Sequence, residues 1–129
     1  MPMQAKSRPK YLNLFALAPK MSVTAKVSIL HRASGMILFL SIPVILYILH
    51  KSLTEVSFYA AFYGVVSNPI MKLIYLLLIW AFIYHASAGI RFLFLDINKG
   101  VRVRCAKTTA RSVLVISTIL TIALGVLIW

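Results

Sequence analysis

Acidic side chains are nearly absent from this sequence: Glu55 and Asp96 are the only two in 129 residues. Charge of either sign is scarce, at 12% of residues, about half of the roughly 25% that keeps a soluble domain's surface wet. A chain so poor in charge, 61% hydrophobic and with a mean hydropathy of +0.93, cannot present most of its surface to water. A soluble globular fold is excluded. Cysteine is missing but for Cys105, which excludes an intrachain disulfide framework and any multi-cysteine zinc or iron–sulfur site built by this chain alone. There is no glycine-rich phosphate loop, internal repeat or low-complexity tract. Nor is a secretory signal evident: about thirty polar or mixed residues precede the first apolar run, and no small-residue cleavage site follows it.

What the sequence does contain is uncharged apolar runs of spanning length. Residues 33–49, 73–90 and 112–129 carry no Asp, Glu, Lys or Arg, and a helix crosses the hydrocarbon with roughly 17–25 residues. The runs are continuous and lack the alternation that a barrel strand requires. They predict an all-α integral membrane protein with three transmembrane helices, over about 28–50, 69–95 and 110–129, preceded by a cytoplasmic segment 1–27. A fourth uncharged stretch, 56–71, is interrupted by Gly64, Ser67, Asn68 and Pro69. Asn68-Pro69 has the chemistry of a helix start, with Asn as the cap and Pro in the first turn. Upstream of it Phe58, Tyr59, Phe62 and Tyr63 recur at helical spacing, which suits an interfacial aromatic helix.

Basic residues fix the expected orientation. Lys6, Arg8, Lys10, Lys20, Lys26 and Arg32 lie in or beside the N-terminal segment, and Arg91, Lys99, Arg102, Arg104, Lys107 and Arg111 between the second and third spans. The first connection has Lys51 and Lys72, and nothing basic follows the third span. The positive-inside rule puts the N-terminus and the second connection in the cytoplasm. This alternation accounts for the basic residues without nucleic acid as a partner, and lipid is the expected surroundings. Three helices make a thin bundle, so partner helices are expected.

Two polar constellations lie at membrane depth. In Ser28-Ile29-Leu30-His31-Arg32-Ala33-Ser34-Gly35, residues 28, 31 and 32 share one helix face. A hydroxyl, an imidazole and a guanidinium converging there suit a carbonyl or carboxylate ligand; the alternative is an anchor in which Arg32 reaches lipid phosphate. The second is Tyr84-His85-Ala86-Ser87-Ala88-Gly89-Ile90-Arg91. His85 lies midway along an uncharged span, where an ionisable group is costly and a functional role is the default hypothesis. A neutral imidazole there can ligate a metal or haem; the alternative is a hydrogen bond across a helix interface, with the small residues serving packing. His50, beside Lys51 at the far end of the first span, reads as interfacial. Asp96 reads as a solvated cap able to pair with Lys99 or Arg91, and Pro43 as a kink in the first span. Ser117, Thr118 and Thr121 can bond to their own helix backbone.

Together these segments resemble the cytochrome b membrane-anchor subunit of succinate dehydrogenase (succinate:quinone oxidoreductase). Arg8-Pro9 followed by Ser28-x-x-His31-Arg32-x-Ser34 is similar to that family's first signature, and His85-x-x-x-Gly89-Ile90-Arg91 with Asp96 downstream to its second. The closing Gly125-Val126-Leu127-Ile128-Trp129 is also similar. Departures are Lys10, where an apolar residue is usual, Phe92 in place of a frequent histidine, and Leu95 before Asp96. The resemblance implies a three-span subunit of a heteromeric bundle, not a catalyst by itself. Its partners would be a second membrane anchor, an iron–sulfur subunit and a flavoprotein. It implies that His85 is one axial ligand of a haem b shared with the second anchor, and that His31 and Arg91 contact the haem propionates. Ser28 and Arg32 would line a ubiquinone pocket. Alternatives at this point are a fumarate reductase anchor working in reverse, and a small non-redox scaffold or transporter component. The expected membrane is the bacterial inner (plasma) membrane, because no amphipathic presequence is evident; the mitochondrial inner membrane is the alternative.

Overall fold

The computed structural model describes residues 14–128. Arg8-Pro9, which opens the first motif, lies outside the described residues, together with Lys6, Lys10 and Trp129. Within them every regular element is helical: α1 (Leu14–Leu17), a 3-10 turn (Ala18–Lys20), α2 (Val23–Thr54), α3 (Val56–Val66), α4 (Pro69–Asp96) and α5 (Val103–Ile128). Helices α2, α4 and α5 are long and apolar enough to cross a membrane, whereas α3 has 11 residues, short of the roughly 17 that a crossing needs. The chain is thus all-α with three candidate spans.

Helix ends differ from the expected limits for a physical reason. The helix α2 begins at Val23, ahead of residue 28, capped by Ser22, whose Oγ accepts from the Ala25 amide at 3.3 Å. It runs on to Thr54, and α5 begins at Val103, ahead of residue 110. An apolar run stops at the first charge, but a helix need not: Lys and Arg lay their stems along it and carry the charge to the headgroups. By contrast α4 starts where Asn68-Pro69 predicts, with Asn68 Oδ1 accepting from the Ile70 amide at 2.9 Å. It closes on Asn98, at φ 59°, with Asn98 N bonded to Leu95 O and Lys99 N to Phe94 O, both at 2.9 Å. A left-handed residue here lets the last carbonyls be satisfied. The α2 helix is unbroken across Pro43. The aromatic residues of the 56–71 stretch form α3, where Phe58 and Phe62 stack at 5.9 Å and Phe58 meets Tyr47 of α2 edge-on at 6.4 Å. Lys51 and Glu55 form an ion pair at the α2–α3 corner.

Helix α4 is the middle of the bundle, packed on α2 and on α5. The buried core is small: Val27, Tyr84, Ala88, Ala110 and Val113, flanked by Val23, Trp80, Phe92 and Leu114. On α5 most of the buried residues, Ala110, Ser117, Thr121 and Gly125, are small, which lets backbones approach where lipid supplies no hydrophobic drive. A Cβ on Gly125 would sit 2.9 Å from Leu76 Cδ2. Large apolar side chains such as Phe39, 72% exposed, and Leu127, 81% exposed, face outward.

Candidate functional site

The two polar constellations of the sequence meet at the crossing of α2 and α4. Tyr84, fully buried, sets the register: its hydroxyl donates to the Val27 carbonyl at 2.9 Å. The next residue, His85, is thereby brought over the turn that contains His31. The two imidazoles stack with centroids 4.2 Å apart and planes 10° from parallel.

Hydrogen bonding around His85 assigns its tautomer. Nδ1 lies 3.1 Å from the His31 carbonyl oxygen and 3.2 Å from Ser34 Oγ. Ser34 directs its hydroxyl proton to that same carbonyl, at 2.9 Å, so toward the imidazole it presents a lone pair. Both neighbours of Nδ1 are acceptors, and only a protonated Nδ1 satisfies them. In the neutral ring the proton is therefore on Nδ1 and the lone pair on Nε2. Among the described residues Nε2 meets no hydrogen-bond partner. This is how a metal-ligating histidine is held, with one ring nitrogen anchored to a carbonyl and the other bare. The donor set fits haem ligation by His85. Among the described residues no three His, Cys, Asp or Glu side chains gather to hold a metal ion by themselves.

Glycines make room for this pair. A Cβ on Gly35 would lie 2.8 Å from His85 Cε1 and 3.3 Å from its Nδ1, while one on Gly89 would lie 3.6 Å from His31 Nε2. The sequence reading gave Ser34 and Gly35 no role of their own. The signal was present as a repeated His-x-x-x-Gly, at 31/35 and 85/89, which becomes meaningful only when two antiparallel helices cross at those turns.

Of the other expected site residues, Ser28 and Arg32 lie on the flank of α2 beside His31, Ser28 half-buried and Arg32 exposed. Arg91 is buried and bound to α5: Nε donates to Thr109 Oγ1 at 3.1 Å and Nη2 to the Ala106 carbonyl at 3.2 Å. Its remaining Nη1 is buried with no hydrogen-bond partner among the described residues. The Phe92 ring touches both regions, 5.2 Å from the His31 ring and 5.2 Å from Arg91 Cζ. Arg91 does not pair with Asp96, whereas Lys51 pairs with Glu55.

The model of the family described as succinate dehydrogenase/fumarate reductase transmembrane subunit matches residues 4–124. The succinate dehydrogenase cytochrome b556 subunit of Coxiella burnetii is 36% identical over 106 residues, covering 81% of this chain and 85% of the relative. That of Rickettsia bellii is 33% identical over 123 residues, covering 92% and 91%, and that of Rickettsia felis 32% identical over 107 residues, covering 83% of each. Three helices long and apolar enough to cross a membrane, the match of the family model over residues 4–124 and the similarity to these subunits over most of their length place the chain in the succinate dehydrogenase/fumarate reductase transmembrane family, as a cytochrome b membrane subunit of succinate dehydrogenase.

Proposed function

We propose that this chain anchors the succinate:quinone oxidoreductase complex in the bacterial inner membrane, holds a haem b through His85, and serves electron transfer from the iron–sulfur subunit to ubiquinone. The observation that carries the reading is the fixed tautomer of His85, with Nδ1 donating to His31 O and Nε2 bare. Haem supplies a one-electron centre at this depth when bound. A second ligand for the haem would come from a companion anchor subunit, since His31 stacks on the His85 ring rather than facing it across a gap. His31 and Arg91 are the residues proposed for the propionates, and the unpartnered buried Nη1 of Arg91 is a donor that a carboxylate would satisfy.

Ser28 and Arg32, one turn apart on the flank of α2, suit the quinone. The Ser28 hydroxyl can donate to a quinone carbonyl. The exposed Arg32 guanidinium would stabilise negative charge as it develops on the quinone oxygen, the type of group that contributes most where charge appears in the transition state. By the distribution of Lys and Arg the N-terminus faces the cytoplasm, on the side where the iron–sulfur and flavoprotein subunits would dock. The curated relatives are succinate dehydrogenase subunits, which favours succinate oxidation as the direction.

A reduced-minus-oxidised spectrum of the complex, wild type beside His85→Ala, tests the reading. A b-type band in the wild type that is lost or shifted in the variant is expected. A wild-type band that survives His85→Ala unchanged places the iron elsewhere. Ser28→Ala and Arg32→Ala should keep the band and lower quinone reduction; normal rates in both remove the quinone assignment.

A further inference from the structure

We propose that Gly35, with Ser34, is a positioning residue for the His85 imidazole, fixing its rotation about the bond to a metal at Nε2; this rests on the reading of His85 as the haem ligand. Three contacts define the ring. His31 covers one face at 4.2 Å. The His31 carbonyl and Ser34 Oγ take the Nδ1 proton at 3.1 and 3.2 Å. Gly35 leaves open the space that Cε1 and Nδ1 occupy, where a Cβ would intrude to 2.8 and 3.3 Å.

No easy relaxation is open to the ring if that space is filled. An imidazole is rigid, and its backbone is tied by the neighbouring Tyr84 hydroxyl to Val27 O at 2.9 Å. Any swing away from Gly35 must lengthen the Nδ1 hydrogen bonds or break the stack with His31. Gly89 stands in the mirror position toward His31 but is not its equal, because a Cβ there meets His31 Nε2 at 3.6 Å, an ordinary van der Waals distance. The demand for glycine therefore falls on the side of the ligand. Rotation of the imidazole plane and hydrogen bonding at Nδ1 are among the properties through which the surroundings of a haem ligand tune the iron.

The test uses the intact complex in membranes and reads haem content with the low-temperature EPR g-values of the ferric haem. Gly35→Ala improves intrinsic helix propensity, so a loss cannot come from a weaker α2. It is expected to lower haem affinity by about 10–100-fold, the usual cost of disturbing a group that orients a metal ligand, and to shift the largest g-value of whatever haem remains. Ser34→Ala adds no bulk and should keep haem while shifting that g-value. Gly64→Ala is the control, since a Cβ there meets nothing within 4 Å, and should match the wild type. Gly35→Ala with wild-type haem content and g-values overturns the proposal. Should that variant not assemble, Ser34→Ala decides alone, and unchanged g-values in it overturn the proposal. A wild-type complex without a b-type signal, or one whose signal survives His85→Ala, overturns the ligand reading and this inference with it.

Discussion

The two faces of α4 are held by different physics. Toward α2, side chains cross the interface to backbone carbonyls: Tyr84 to Val27 O and His85 to His31 O. Toward α5, most hydroxyls stay at home. Ser117 returns its proton to Val113 O at 2.7 Å and Thr121 to Ser117 O at 2.8 Å, leaving contact to small residues. The α2 face specifies an orientation, because directional bonds fix a rotation. On the α5 face the directional links are Arg91 to Thr109 Oγ1 and Ala106 O and the long Trp80–Thr118 contact at 3.4 Å, and the rest of that face specifies proximity. His85, proposed above as the haem ligand, is on the face that fixes rotation.

The sharpest way to break this contrast is to exchange bulk for glycine on both faces. Gly35 and Gly125 are similarly tight: an added Cβ would meet His85 Cε1 at 2.8 Å in one case and Leu76 Cδ2 at 2.9 Å in the other. The obstacle at Gly125 is the free end of a flexible side chain, which can change rotamer. At Gly35 it is a ring pinned at its nitrogen. Gly35→Ala should remove most of the haem absorbance, whereas Gly125→Ala should keep it and destabilise the complex by at most the ~1–3 kcal/mol of an overpacked contact, read as a lower thermal midpoint. Equal haem loss in both would mean that proximity alone governs the site.

Arg91→Ala comes next in size. It removes two cross-helix hydrogen bonds from a buried cation, each worth about 1.5–3 kcal/mol when the donor is charged. Part of this is recovered because the unpartnered Nη1 is also removed. A destabilisation of about 2 kcal/mol, measured by thermal unfolding of the detergent-solubilised complex, is expected. Arg91→Lys should not restore it, since one ammonium cannot serve the Thr109 hydroxyl and Ala106 carbonyl in the same fork geometry. If Arg91→Lys unfolds with the wild type, the α5 face depends on charge rather than on direction.

The spans were legible in the sequence because hydrophobic runs and lysine placement act along the chain, residue by residue. Asn68-Pro69 was legible for the same reason: a cap acts within one turn, and Asn68 caps α4 as expected. His85 stood out because residues 73–90 around it carry no Asp, Glu, Lys or Arg. What could not be read was pairing. That Gly35 faces His85, or that Arg91 reaches Thr109 and Ala106 rather than Asp96, depends on how two helices cross, and no local rule encodes a crossing. Thr109 and Ala106 look like any small residues of a helix start. The first and last helices also outran their apolar cores, since α2 passes through Lys26, Arg32 and Lys51 without a break.

Tyr84→Phe separates register from ring orientation on the α2 face. The ring stays, stacked on Trp80 at 5.0 Å, and only the bond to Val27 O is lost. Interhelical hydrogen bonds in membranes average about 0.6 kcal/mol and reach about 1.7; full burial of this hydroxyl puts the expected loss near the upper value. Haem content should hold while the thermal midpoint falls. A fall in haem as large as that of Gly35→Ala would show that Tyr84 and His85 act as one unit.

The smallest effect is expected at Ser117→Ala on the opposite face. Ser117 is fully buried, the kind of position where losing a hydroxyl often leaves an orphaned partner. Here the partners are Val113 O and Leu114 O, at 2.7 and 3.1 Å, carbonyls of the same helix. Val113 O lies four residues before Ser117, so the helix's own N–H ladder already reaches it. Removing a bond that a serine makes to its own preceding turn slightly relaxes the helix rather than unpinning it. The methyl that remains fits a contact already built for small side chains. Stability within about 0.5 kcal/mol of the wild type is expected. A loss of the size predicted for Tyr84→Phe would mean that the Ser117 hydroxyl has a partner across the bundle, and that the α5 face is as directional as the α2 face.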